Sequence, residues 1–176
     1  MSKLHIVLAE PQIPQNTGNI SRTCAVTGAV LHLIKPYGFE ITDKNLKRAG
    51  LDYWDKLEIL EYDSLDHFLQ IHEIQDQQRQ IYYFTTKSRI CHSDVDYRKF
   101  LDSGQDVYLM FGREDAGLPE ELLVKHPETA VRIPMRPTLR SLNLSNSVAI
   151  AAYEILRQWG YPDMTAQGNL TKYEWD

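Results

Sequence analysis

The sequence predicts an α/β fold, a mostly parallel sheet with helices on both faces. Three observations point there. Apolar runs of strand length alternate with helix-like stretches along the chain. Those runs are rich in β-branched or aromatic residues, which suit a pleated, buried surface. The length of 176 residues, 43% apolar and 24% charged, is that of one ordinary globular domain.

Taken in order, LHIVLA (4–9) reads as a first buried strand and VLHLI (30–34) as a second. A helix is expected over 17–27, with Gly28 as its C-cap. Thr42 or Asp43 suits the start of a short helix through Arg48, closed by Gly50. Further strands are LEILEY (57–62), QIYYFTT (80–86) and DVYLMFG (106–112), with AVRIP (130–134) as the last candidate. Between them SLDHFLQIHEI (64–74) sets Leu65, Phe68, Leu69 and His72 on one helical face. The strongest helix begins near Ser145, where Val148, Ala152, Ile155 and Trp159 recur every three or four residues. Ser145 or Asn143 suits its N-cap, Gly160 its C′ position, and Pro162 stops continuation. We read residues 1–162 as a single domain and 163–176 as a mostly polar tail in which Tyr173 and Trp175 offer docking groups.

Composition removes several classes. No apolar run approaches the roughly 18–20 residues of a membrane span. The N-terminus meets Glu10 and Pro11 too early for a secretory core, so no signal peptide is expected. Cys24 and Cys91 show no CxxC spacing, which argues against a disulfide framework or structural zinc and for a reducing cytoplasm. The net charge of −5 resides in 61–78, where Glu61, Asp63, Asp66, Glu73 and Asp76 meet no Lys or Arg. The remainder balances, so the acidic total does not exclude nucleic acid. Arg132, Arg136 and Arg140 lie in an acid-free segment that is either a solvated face or a phosphate-binding patch.

Familiar catalytic motifs are missing. The chain has no GxxxxGK[ST], no GxGxxG after its first strand, no HExxH and no GxSxG, and its six histidines lack metal-ligand spacing. Three loops after strands remain, where open α/β sheets hold their ligands. In EPQIPQNTGNISRT (10–23), prolines stiffen the loop and Gly18 permits a tight turn. Asn16 and Thr17 either cap the helix or, with Asn19 and Arg22, present polar groups suited to a phosphate. In FGREDAGLP (111–119), Gly112 permits a close backbone approach by a flat ligand, and Glu114 sets a carboxylate at the strand end. In IPMRPTLRSLNLSN (133–146), Ser141, Asn143, Ser145 and Asn146 exceed what one helix cap requires.

Together these segments resemble the SPOUT superfamily of RNA methyltransferases. The P-x-N-x-G-N-x-x-R motif is matched by Pro14, Asn16, Gly18, Asn19 and Arg22. The F-G-x-E-x-x-G-L motif is matched by Phe111, Gly112, Glu114, Gly117 and Leu118, and the third by Ile133–Met135 and Arg140–Asn146. KRAGLDYW (47–54) and FTTK (84–87) look most like the tRNA (cytidine(34)-2′-O)-methyltransferase branch. The resemblance implies a C-terminal trefoil knot, an obligate homodimer, and S-adenosylmethionine held against Phe84, Gly112, Ile133, Ser141 and Leu142, without a metal or a membrane. It implies a tRNA anticodon loop as partner, methylated at the ribose of the wobble cytidine or uridine. Arg22 is the residue it places at the transfer step. A guanidinium stays charged, which suits Arg22 better to orienting the nucleotide than to serving as a literal base. Glu114, Asn143 and Ser145 complete the implied catalytic set by holding loops and RNA. Ribosomal RNA, another tRNA position, or non-catalytic RNA binding remain as other uses of the same fold.

Overall fold

Strand LHIVLA is apolar at every position, so it is stable only where both its faces are covered. In the computed structural model, which describes residues 2–40, 57–73 and 79–175, it sits mid-sheet as β1 (Leu4–Ala9), buried throughout. The other strands are β2 (Val30–Ile34), β3 (Ile59–Tyr62), β4 (Arg79–Phe84), β5 (Asp106–Phe111) and β6 (Ala130–Val131). They run in the order β3-β2-β1-β5-β4-β6, and every pairing between them is parallel. The expected fold class is therefore found.

Helices α1 (Pro14–Thr27), α2 (Leu65–Glu73), α3 (Arg98–Ser103), α4 (Glu120–Leu123) and α5 (Leu144–Gln158) cover the sheet. One core layer sets Ile6, Leu8, Leu31 and Leu109 against Ile20 and Cys24 of α1 and Val148, Ala152 and Ile155 of α5. The other sets Val7, Ile34, Tyr83 and Met110 against Phe68 of α2 and Leu122 of α4. Neighbouring residues of one strand serve opposite layers, as the two-residue period of a strand requires.

Several boundaries move from their expected places. Helix α1 starts at Pro14, whose fixed φ and missing N–H suit a first turn, so Gly18 lies buried inside the helix and forms no turn. Gly28 closes it at φ 72, its N–H donating to the Cys24 carbonyl. Asn143 caps α5, its Oδ1 accepting from the N–H groups of Ser145 and Asn146. Gly160 follows the helix at φ 75. Strand β4 ends at Phe84 and β6 spans two residues, short of the expected 86 and 134.

Segment 129–132 is bonded on two sides. The N–H groups of Tyr83 and Thr85 donate to Thr129 and Val131 carbonyls, while Arg132 N–H donates to Ile90 and His92 N–H to Arg132. The last strand thus runs between β4 and the 88–92 loop. The short helix expected over 42–48 and the stretch 47–54 lie outside the described residues. The tail extends past Pro162 without helix or strand through residue 175, and Tyr173 and Trp175 stand 78% and 70% exposed, undocked.

Candidate active site

Parallel strands point their carboxyl ends the same way, so the loops after β4, β5 and β6 gather at one rim of the sheet. There they enclose a cleft of about 560 Å³. Phe84 and Phe111, last residues of β4 and β5, stack at 4.7 Å between ring centres and form part of its lining. Ile133, Met135 and Leu142 add apolar wall, while Thr85, Thr86, Lys87, Arg113 and Arg140 supply polar groups. Lys87 is held by Glu120 at 2.6 Å, and the Arg113 fork grips Asp115 at 2.9 and 3.0 Å, which holds that carboxyl below the usual carboxylate range.

One hydrogen-bond chain ties the three loops together. Glu114, just past β5, accepts from the backbone N–H groups of Gln12 (2.9 Å) and Ile13 (3.2 Å) and from Asn16 Nδ2 (2.9 Å). Helix α1 has no side-chain cap of its own, and this remote carboxylate takes that place where the helix dipole favours negative charge. Asn16 Oδ1 in turn accepts from Asn143 Nδ2 at 3.0 Å. Asn143 Oδ1 accepts from Ser145 N–H (2.9 Å) and Ser145 Oγ (2.7 Å). Each amide donates from one end and accepts at the other, so the order of the chain is self-consistent.

The sequence-derived residues separate accordingly. Phe84, Gly112, Ile133, Ser141 and Leu142 all line the cleft, with Glu114 and Asn143 at its edge. Ser145 is 8% exposed and turned inward to Asn143, away from the cleft. Arg22 is exposed on α1 and absent from the lining, six residues on from Asn16 and about 9 Å along the axis. Both oxygens of Glu114 accept from N–H groups, which ties residues 12–16 to the end of β5.

Gly112, beside the close ligand approach expected of it, meets a constraint from its own loop. A Cβ there would overlap the backbone of Gly117 and Leu118, so the glycine lets the 112–118 loop fold onto itself. Gly117, at φ +73, completes that turn by donating its N–H to the Arg113 carbonyl at 2.8 Å. Asn16, only 4% exposed, is the member that residue-by-residue reading left undecided. Its place in the first motif was the available signal, but the partners 98 and 127 positions away were not visible there.

Comparison with known proteins agrees with this architecture. A protein of Listeria monocytogenes serotype 4b (strain F2365) is 50% identical over 168 residues, covering 96% of this chain and 95% of its own. The tRNA (cytidine(34)-2′-O)-methyltransferase of Escherichia coli (strain K12) is 48% identical over 160 residues, covering 90% and 96%. A solved structure concerned with 2-OH methylation of C/U34 on tRNA superposes with a TM-score of 0.79 at 41% identity, covering 90% of this chain and 97% of that one. Residues 3–153, from the first strand into the last helix, match the model of the SpoU rRNA Methylase family, and the chain belongs to that family.

Proposed function

We propose that this chain methylates the ribose 2′-hydroxyl of the wobble nucleotide, position 34, in the tRNA anticodon loop, with S-adenosylmethionine as donor. The observation that carries this reading is near-complete alignment, at 48% identity, with a relative bearing that activity in its name. An rRNA substrate, which the family's description would suggest, is the second reading.

The cleft suits the donor. Its volume falls in the usual range for cofactor sites, about 300–1,000 Å³. Phe84, Ile133 and Leu142 offer an apolar slot for adenine, and the loops carrying Gly112 and Ser141 bring backbone polar groups to its edge. S-adenosylmethionine bound there would supply an electrophilic methyl group. The protein's task is positioning, since the attacking oxygen must come within about 3–3.5 Å of the methyl carbon. The Glu114–Asn16–Asn143 chain holds α1 and the two cleft loops in fixed relation for that purpose. We assign Arg22 to the substrate nucleotide, where its planar fork binds a phosphate and favours ionisation of the neighbouring hydroxyl. An unpaired anticodon nucleotide can be splayed out to present its 2′-hydroxyl. Arg132, Arg136 and Arg140 would add phosphate contacts.

Arg22 lies outside the lining of its own chain's cleft, which favours a homodimer in which each protomer's α1 completes its partner's site. Val26, Ile150 and Tyr153, 42–55% exposed on α1 and α5, supply an apolar surface for that contact. The passage of segment 129–132 between β4 and the 88–92 loop supports the trefoil knot. No helix among the described residues is long and apolar enough to cross a membrane. The place of work we propose is the cytoplasm, which suits the unpaired Cys24 and Cys91. The test is to incubate purified protein with methyl-labelled S-adenosylmethionine and bulk RNA and map the label by mass spectrometry. Label at tRNA position 34 supports the reading, and label confined to rRNA or to another tRNA position refutes it.

A further inference from the structure

Away from the cleft, His5, His32, Tyr62 and His72 form a buried polar chain, none more than 7% exposed. One side chain comes from each of β1, β2, β3 and α2. His5 Nδ1 lies 2.8 Å from His32 Nε2, His32 Nδ1 lies 2.9 Å from the Tyr62 hydroxyl, and that hydroxyl lies 3.0 Å from His72 Nε2. His5 pairs with Val30 and His32 with Leu60, so each step between strands crosses one strand and climbs two residues. At the sheet end of the chain, His5 Nε2 stands 3.5 Å from Asp106 Oδ2, its ring stacked on Tyr108 at 4.1 Å.

Counting protons sets the order. A neutral imidazole has one N–H and a phenol one O–H, while an ionised carboxylate only accepts. Asp106 Oδ2, 3.5 Å away, is the nearest charge to His5 Nε2, which has no hydrogen-bond partner among the described residues, and its field favours a proton on Nε2. His5 Nδ1 then accepts from His32 Nε2. His32 Nδ1 then accepts from the Tyr62 hydroxyl, and the Tyr62 oxygen accepts from His72 Nε2. The opposite order would aim the His5 lone pair at the carboxylate.

We propose that this chain is an acid-sensitive latch, polarised by Asp106 into a single proton order, that holds edge strand β3 and helix α2 in register at neutral pH and releases them in acid. A second proton on His5 sets two donors against each other across the contact with His32, and one on His32 forces the Tyr62 hydroxyl to turn from donor to acceptor. Because a register slip of one residue would turn Tyr62 to the opposite face, the chain specifies register as well as attachment. Charged groups around His5 include Asp106, Lys3 and Glu58, and among the described residues Tyr108 of β5 and His67 of α2 are further titratable rings facing the chain. Burial pushes His5 from 6.5 to about 4, the Asp106 carboxylate opposing it. The neutral form is the folded one, so its contribution is complete above pH 6.5 and falls as the pH drops toward about 4.

Long-range 15N–1H correlation on the histidine-labelled protein at pH 7.5 reads the tautomers directly. The expected result is Nε2 protonated and Nδ1 bare on His5 and His32, with His72 Nε2 protonated. A proton on Nδ1 of His5 or His32 overturns the proposal. Amide exchange between pH 7.5 and 4.5 reads the release. Protection of β3 and α2 should fall by up to about tenfold per pH unit for each imidazole charged, ahead of β1 and β5. Tyr62→Phe, which keeps the ring and removes the link, should show the same loss already at pH 7.5. Unchanged β3 and α2 protection at pH 4.5, or loss only together with β5, sinks the latch.

Discussion

Asn16→Ala removes a side chain that is 4% exposed and bonded at both ends. Glu114 keeps the N–H groups of Gln12 and Ile13 but loses its third donor, while Asn143 Nδ2 loses its acceptor. A hydrogen bond to a charged group contributes about 1.5–3 kcal/mol and a neutral one about 1. The expected cost is therefore about 2–4 kcal/mol. For a chain of this size that corresponds to a fall in Tm of roughly 5–15 °C. Stability would be measured by urea denaturation at one fixed protomer concentration, because the proposed homodimer would make the midpoint depend on concentration. S-adenosylmethionine binding should weaken in parallel, since Asn143 carries the 141–143 edge of the cleft. Asn143→Ala costs an α5 cap as well, so a double-mutant cycle is needed to isolate the pair. It should return a coupling of about 0.5–3 kcal/mol. A single variant within about 0.5 kcal/mol of wild type, or strict additivity in the cycle, would refute the claim that this chain joins the loops.

Gly112→Ala forces Cβ into the backbone of Gly117 and Leu118. It should cost about 1–3 kcal/mol or more and lower Tm together with cofactor binding, and calorimetry showing lost binding at unchanged Tm would instead assign Gly112 to direct ligand contact. Arg22→Ala should abolish methyl transfer while cofactor affinity stays within about twofold of wild type, and Arg22→Lys should recover little, because a point charge does not replace a planar fork. Single-turnover assays on tRNA decide this, with near-normal turnover in Arg22→Ala as the contrary outcome. Truncation after Thr165 keeps Met164, which packs on the core, and removes only exposed groups such as Tyr173 and Trp175. It should leave the denaturation midpoint within about 0.5 kcal/mol of wild type, and a larger loss would show that the tail docks.

The layers of the fold were legible in the residues because strand and helix periods are short-range properties. LHIVLA and VLHLI read as strands over the residues they occupy, and the Val148, Ala152, Ile155 spacing marks the face that α5 buries. The three motifs likewise marked the loops that meet at the cleft, because sequence order records which strand each loop follows. Local reading failed where a distant group supplies the missing interaction. Helix α1 begins three residues early because Pro14 suits a first turn and Glu114, 102 positions from Gln12, receives the N–H groups that a local cap would otherwise take. Asn16 reads equally as a cap or as a polar group for a ligand, and the fold makes it the link between two loops. Gly112 reads either as room for a ligand or as part of a structural turn, and only the folded loop shows that its Cβ position is taken by Gly117 and Leu118. The histidines read as structural or solvated, since nothing local shows that His32 and Tyr62 each stand two residues higher on successive strands or that His72 of α2 meets them. Periodicity along one element decides which side faces inward. Only the pairing register of separate strands decides which inward side chains meet, and that register exists once the sheet has formed.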